Sequence, residues 1–435
     1  MRVFMLAVCL IVPYAVAQES TTQEALAEFL EPVRNHPAVL ASAAALEAAQ
    51  AQVDAAYSPV SASVSGGYQA FDNDDIDLDP ETPGMQGLPK SGGQFSADLS
   101  FRPFPFGDIA DLTEQRKLSL LQAQLDYNET LTDYESQALT AALNVALARD
   151  SLELAEQSVE LARTALDATR LRFEKGAASE RDVRDGEANL LEAQNFAQTA
   201  SSNLELAQLN LRNLVGEVEV PEVPRLPLVE GTSVGVQRAR VGVELAEIGK
   251  SGATRELIPV AQAGYTFNLD PENTLELSVE SRTLQPSVGY TYQNPGRQPP
   301  QTAQNGSFQI GVSANLDPAL FRAAEAARDQ VAAAAAGLQA AQDGADIQRQ
   351  ALENALNQAQ QTLELRELRF ENAQLTFEEA QKREELGITT PLETLNVLLE
   401  LLEDDLDLRT ARQDVLAATL DFYAFYGVPV SEVIE

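Results

Sequence analysis

Apolar residues recur at helical spacing along two very long stretches of the chain. The first, from Asp108 to Glu174, contains neither proline nor glycine. An unbroken helix of that length would span about 100 Å. The second runs over 318–386 and is interrupted only by Gly337 and Gly344. Helices this long need lateral partners, because an isolated helix gains little from intrinsic propensity.

The apolar positions of these stretches form two rows at heptad spacing, separated by charged and amide positions. In the first stretch the rows are Leu152, Val159, Leu166 and Phe173, and Leu147, Leu154 and Leu161. Two rows favour a helix with neighbours on both sides, as in a coiled-coil wall built from many helices. A conventional antiparallel helical bundle is an equally good interpretation of this pattern alone.

Shorter segments alternate apolar and polar residues with the period of a β-strand. They cover 60–71 and 94–106 in the first half, and further runs lie within 259–316 in the second. Outer-membrane barrels show this alternation, with the apolar face on lipid. Four to six strands cannot close alone, because the smallest such barrels have about eight. Several chains would have to pool their strands, and a soluble β-sandwich is the alternative.

Paired glycines indicate that the chain is internally duplicated. A shift of 211 positions superposes Gly176 on Gly387 and Gly216 on Gly427. We predict a first repeat over 18–216, a linker over 217–232 and a second repeat over 233–435. Each repeat should run helix, strands, very long helix, glycine turn and helix. The helices flanking the turns are predicted at 108–174, 179–215, 318–386 and 390–426.

Each long helix is followed by the sequence signature of a tight reversal. The helix-ending glycine and the following N-cap are Gly176 and Ser179 in the first repeat, and Gly387 and Thr390, with Pro391 next, in the second. Glycine suits the left-handed conformation that ends a helix, and proline suits the first helical position. Glu393 would complete a capping box with Thr390. Asp182 and Asp185 lie just inside the first reversal.

Composition narrows the possible functions. The first 17 residues have the basic start, apolar run and Ala-x-Ala site of a secretory signal peptide, and they contain Cys9, the chain's one cysteine. A net charge of −36 argues against nucleic acid and anionic membrane surfaces as partners. With a single histidine and no recognisable nucleophile or phosphate-binding motif, we expect no enzyme activity, cofactor or metal. The acidic segment 72–81 hints at a calcium loop, but Pro80 and Gln86 replace the expected glycine and glutamate, which favours a solvated loop.

Three stretches together resemble one family, the TolC-like outer-membrane efflux proteins. They are "RLRFEKGAASERDVRDGEANLLEAQ", its repeat "KREELGITTPLETLNVLLELLED", and "NHPAVLASAAALEAAQAQVDAAYSPVSASVSGGY". The likeness extends over nearly the whole chain after the signal peptide. It implies a mainly α fold with β: an internally duplicated chain with a long coiled-coil helical barrel and a transmembrane β-barrel pooled from three chains.

The resemblance also implies a function. Members of the family are homotrimers that export small molecules or proteins, in tripartite pumps or type I secretion, with an inner-membrane transporter and a periplasmic adaptor. The β-barrel would lie in the outer membrane, with four strands per chain, and the helices in the periplasm. The linker 217–232 would join a belt around the helical barrel.

The turns would form the adaptor-docking tip of that helical barrel. The family's acidic pore ring falls six and nine positions after the second turn glycine, which are Glu393 and Asn396 here. We predict that Asp182 and Asp185, just inside the first reversal, belong to the same pore constriction. A possible extra hairpin between 270 and 305 leaves four or six strands per chain open. A non-conducting, periplasm-spanning connector or adhesin is the alternative function.

Overall fold

The computed structural model describes residues 25–56, 58–70, 91–102, 106–218, 225–294, 305–315 and 317–434. The predicted signal peptide at 1–17 and the acidic segment at 72–81 lie outside these ranges. So does part of the predicted linker, at 219–224.

The described chain is mainly helical. Residues 25–30 are helical and lead into a 3₁₀ turn at Glu31–Asn35. Seven further helices follow: α1 (Pro37–Ala56), α2 (Asp108–Glu174), α3 (Glu180–Val215), α4 (Val234–Arg255), α5 (Pro318–Glu385), α6 (Pro391–Tyr426) and α7 (Val430–Ile434). Six strands separate them: β1 (Val60–Ala70), β2 (Ser91–Phe101), β3 (Val260–Asn268), β4 (Asn273–Glu280), β5 (Pro286–Asn294) and β6 (Gly306–Ser313). The order of helix, strands, long helix, turn and helix occurs twice, as the duplication predicts.

Helix α5 covers the range predicted at 318–386 to within one residue, whereas strand β2 differs from its prediction. Helix α5 runs without a break through Gly337 and Gly344. A mid-helix glycine costs only about 1 kcal/mol relative to alanine, which a helix of this length tolerates. Strand β2 begins at Ser91 and ends at Phe101 rather than at 106. Pro103 follows two residues later in the sequence, and proline has no N–H to extend a ladder.

The chain divides into two compact units. One comprises residues up to Ala45, with Gln124–Gln237 and Ala340–Glu435, and the other comprises Leu46–Ala123 and Arg238–Gln339. The second unit, which we call the strand unit, holds all six strands in one antiparallel sheet of order β1-β2-β5-β4-β3-β6. The described chain therefore has six strands, and β1 and β6 form the two edges of the sheet.

Two contacts in the strand unit fix the start of α2. The Arg255 guanidinium, at the end of α4, donates through Nη1 to Asp108 Oδ1 at 2.7 Å and to Asp111 Oδ2 at 2.8 Å. Both carboxylates lie in the first turn of α2, where negative charge also favours the helix dipole. Gly107 immediately before them has φ +61, and an added Cβ would lie 2.0 Å from the Arg282 carbonyl oxygen.

The other unit, which we call the turn unit, has an apolar core around Tyr423 of α6. This side chain is fully buried, as are Leu139 of α2 and Phe29. The Tyr423 hydroxyl donates to the Pro227 carbonyl oxygen at 2.8 Å and so ties α6 to the segment before α4. Burial raises the pKa of Tyr423 to about 12.

A buried carboxylate holds the C-terminal helix in the turn unit. Glu135 of α2 is completely buried. Its carboxylate accepts hydrogen bonds from the Ser431 N–H at 3.1 Å and from Ser431 Oγ at 2.5 Å. Arg34 also donates to Ser431 Oγ, at 3.4 Å. Burial raises the pKa of Glu135, while the Ser431 hydrogen bonds and the Arg34 charge act in the opposite direction.

Within the described residues, no helix combines the length and the apolar character needed to cross a membrane.

Candidate functional site

Both reversals in the turn unit have the same backbone geometry. Gly176 and Gly387 have φ +73 and +71. After α2, the Gly176 N–H donates to the Phe173 carbonyl and the Ala177 N–H donates to the Arg172 carbonyl, both at 2.8 Å. The equivalent bonds after α5, from Gly387 to Glu384 and from Ile388 to Arg383, are also 2.8 Å. This is the Schellman pattern, which gives partners to the last carbonyls of a helix and turns the chain sharply.

Reciprocal capping boxes begin the helices that follow. Ser179 Oγ accepts from the Asp182 N–H at 3.2 Å, and an Asp182 carboxylate oxygen accepts from the Ser179 N–H at 2.7 Å. At α6, Thr390 Oγ1 accepts from the Glu393 N–H at 3.3 Å, and Glu393 Oε2 accepts from the Thr390 N–H at 2.9 Å. Pro391 occupies the first turn of α6, where no N–H is needed.

The structure therefore gives two of the predicted pore residues a local role as well. Asp182 and Glu393 are equivalent under the repeat, and each holds its own helix start. The backbone and side-chain hydrogen bonds from Ser179 lower the pKa of Asp182. Asp185 forms an exposed ion pair with Arg181 at 3.7 Å. Asn396 is exposed on α6. All four predicted pore residues are solvent-exposed in the single chain, and their arrangement in a ring stays a prediction.

The two reversals differ in apolar exposure, a feature that the sequence analysis missed. Leu386 and Ile388 flank Gly387 and are 75% and 70% exposed. The positions that match them in the first repeat are Lys175 and Ala177. Two large apolar side chains beside a helix-ending glycine could have been noticed in the sequence. Their exposure on the surface of the turn is clear only from the structure.

One face of the sheet is apolar over all six strands, and large apolar side chains on β1, β2, β3, β4 and β6 are solvent-exposed. The paired registers place Tyr68 beside Gly93, and Val64 beside Ala97, on the same face. The largest exposures are on the edge strands, where Tyr68 is 74% and Val312 71% exposed. Members of this face on the other strands include Phe95, Phe101, Tyr265, Phe267, Leu277, Val279 and Val288.

The opposite face of the sheet is polar and built mostly from small side chains. Serine pairs connect neighbouring strands, such as Ser65 with Ser96 at 2.6 Å and Ser278 with Ser287 at 2.7 Å. The charged residues on this face are Asp98, Glu276 and Glu280. None of the six described strands contains lysine or arginine. This face thus presents hydroxyl, amide and carboxylate groups with no positive charge.

No group of three or more His, Cys, Asp or Glu side chains suited to holding a metal ion is found in the part of the chain that the structure describes. The hypothesis of a calcium loop at 72–81 falls outside that part.

Comparisons with known proteins agree with this geometry. Residues 32–217 match the family model described as outer membrane efflux protein. No curated protein matches the chain.

Solved outer membrane channels have the same fold. The CmeC outer membrane channel of Campylobacter jejuni superposes with a TM-score of 0.63 at 13% identity, covering 94% of this chain and 86% of CmeC. The outer membrane protein VceC of Vibrio cholerae gives 0.63 at 16% identity, covering 92% and 95%. The open state of the Neisseria gonorrhoeae MtrE outer membrane channel gives 0.59 at 14% identity, covering 96% and 90%. Residues 32–217 are therefore similar in sequence to the outer membrane efflux proteins, and the described chain shares the fold of solved outer membrane channels.

Proposed function

We propose that three copies of this chain form a channel through the outer membrane and the periplasm. It would export small molecules or proteins delivered by an inner-membrane transporter and a periplasmic adaptor. The channel itself performs no bond chemistry, and the transporter drives the flux.

The sheet carries this proposal. Its exposed apolar face would be unfavourable in water and suits the hydrocarbon of a bilayer, while its small polar side chains suit a water-filled lumen. A sheet of six strands leaves two edges with free backbone N–H and C=O groups, which lipid cannot satisfy. Pairing β6 of one copy with β1 of the next removes both edges.

The two reversals support the proposal that the channel binds a periplasmic adaptor. Leu386 and Ile388 expose apolar surface at the second turn, which suits contact with another protein. We assign this turn to adaptor docking, together with Gly387, Thr390 and Pro391. The first turn, with Gly176 and Ser179, would contribute its more polar surface.

Cross-linking between strand edges tests the pooled barrel. The mature chain is predicted to contain no cysteine, so every cross-link must form between introduced cysteines. Ser63→Cys on β1 would be combined in turn with Ser307→Cys, Gln309→Cys or Gly311→Cys on β6. We expect at least one pair to yield covalent dimers and trimers with a short thiol cross-linker in membranes.

The matched control combines Ser63→Cys with Glu276→Cys on β4, which lies inside the sheet and should give no product between chains. The proposal is wrong if none of the β1–β6 pairs links one chain to another.

The negative charge of Glu393 at the second turn should make the channel prefer cations to anions. A ring of three Glu393 carboxylates in a narrow pore would attract cations and repel anions. We expect Glu393→Gln to lower the cation-to-anion permeability ratio in planar bilayers by several-fold. Glutamine keeps the oxygen that caps Thr390, so the change isolates the charge.

Asp343→Asn, which removes the same charge from an exposed position on α5, is the control and should leave the ratio unchanged. Equal ratios in wild type and Glu393→Gln would remove Glu393 from the pore. A wild-type protein that conducts no ions would favour the connector or adhesin.

A further inference from the structure

The β4–β5 hairpin lies in the middle of the sheet rather than at its edge. Strand β5 pairs with β2 from Gly93↔Asn294 to Ser100↔Ser287, and β4 pairs with β3 from Gln262↔Glu280 to Asn268↔Thr274. The hairpin thus separates β2 from β3. Strands β3 and β6, which precede and follow it in the chain, still pair directly with each other.

The turns at both ends of the hairpin are specified by side chains. Before β4, Asp270 Oδ1 accepts from the N–H groups of Glu272 and Asn273, both at 2.8 Å. At the other end, the Ser281 N–H donates to the Ala261 carbonyl at 2.8 Å, and Ser281 Oγ accepts from the Ala261 N–H at 2.9 Å. These bonds fix the hairpin to β3.

The backbone just before α2 packs closely against the β4–β5 hairpin. The Arg282 carbonyl, in the connection between β4 and β5, lies where a Cβ of residue 107 would be. Glycine at this position permits the close approach. A hairpin that lay loosely beside the sheet would not require glycine at residue 107.

Adding two strands as a hairpin preserves the direction of every other strand. All neighbours in the sheet are antiparallel, and an even strand number leaves β1 and β6 running in opposite directions. The edges of two symmetry-related copies can therefore still pair as antiparallel strands. The hairpin also continues both faces of the sheet, with Leu277 and Val288 on the apolar face and Ser278 and Ser287 on the polar face.

We propose that the β4–β5 hairpin is a wall element that widens the outer-membrane barrel to eighteen strands, so that solutes too wide for a twelve-stranded barrel can pass this section. The inference rests on the proposed trimer, with six strands from each copy. With strands about 4.8 Å apart and tilted by about 40°, eighteen strands give a backbone diameter of about 36 Å, against about 24 Å for twelve. This section of the channel then admits hydrated molecules or chain segments up to about one and a half times as wide.

Imaging of the purified protein in nanodiscs tests the inference. We expect eighteen strands and a barrel about one and a half times as wide as that of a variant lacking residues 270–294. In that variant residue 269 is followed directly by residue 295, so residues 295–305, which connect β5 to β6 in the intact chain, would connect β3 to β6. Strand β2 would then meet β3 as an antiparallel neighbour.

A disulfide test within the intact chain does not depend on the folding of the deletion variant. Ser96→Cys with Thr291→Cys joins β2 to β5 at paired positions, and we expect an intrachain disulfide. Ser96→Cys with Asn268→Cys, on β3, is the control and should form none, because two strands intervene.

The outcomes separate the two proposals. A closed barrel of twelve strands with the hairpin outside the wall, or a disulfide only in the control, overturns the inference and leaves the trimeric channel intact. Particles without a closed barrel contradict the proposed function itself.

Discussion

Gly107→Ala should destabilise the strand unit by about 2–5 kcal/mol, through the sum of two effects. An alanine in the left-handed conformation costs roughly 1–2 kcal/mol, and overpacking typically adds about 1–3 kcal/mol. Residue 107 has φ +61, and the added methyl group would overlap the Arg282 carbonyl oxygen at 2.0 Å. Strand β2 and both strands of the β4–β5 hairpin are paired within the sheet, which limits how far either backbone can shift. We would measure the midpoint of thermal unfolding in detergent by circular dichroism.

Gly176→Ala is the matched control. Gly176 has φ +73, but an added Cβ would meet no atom within 4 Å. The control therefore carries only the conformational cost, about 1–2 kcal/mol. If both variants shift the midpoint equally, Gly107 is required for its backbone conformation alone, and its close approach to the hairpin contributes nothing.

Glu135→Ala should detach the C-terminal helix and destabilise the turn unit by about 3 kcal/mol or more. The change removes the acceptors of both Ser431 hydrogen bonds, which are buried, and leaves a cavity in their place. Glu135→Gln keeps one carbonyl acceptor and the volume of the side chain, so we expect a much smaller loss. Hydrogen exchange at the amides of 430–434 and the thermal midpoint report the local and global effects.

The raised pKa of Glu135 predicts how the stability of the turn unit depends on pH. Burial makes the folded state hold the proton more tightly than the unfolded state, whose pKa is near 4.5. The stabilising contribution is therefore complete below the unfolded pKa and is lost as the pH rises through the folded pKa. Glutamine has no proton to lose, so Glu135→Gln should lack this decline. Equal stability of the alanine and glutamine variants at every pH would show that the Ser431 contacts do not anchor α7.

The sequence predicted the long helices and their reversals well, because the signals are local. Uninterrupted helical periodicity fixes α2, and a glycine three residues before an N-cap residue fixes each turn. Helix α5 likewise runs through Gly337 and Gly344, since a weak helix former is tolerated where its neighbours are alanine-rich and helical.

The sheet was less predictable. Alternation located strands in both halves, and the number of strands stayed open because pairing between distant segments leaves no local signal. The position of β4 and β5 between β2 and β3 depends on registers that only the folded sheet defines. The demand for glycine at position 107 follows from that arrangement, since Arg282 approaches it from a distant part of the chain.

The duplication, the two long helical stretches, the capped reversals at Gly176 and Gly387, and the two-faced strands can all be predicted from the amino-acid sequence. These follow from periodicity and from the backbone preferences of single residues. The strand order, the burial of Glu135 against Ser431 and the exposure of Leu386 and Ile388 become known only from the folded chain. Each of these depends on which distant segments pack together, because burial and pairing are properties of the assembled chain rather than of any local stretch.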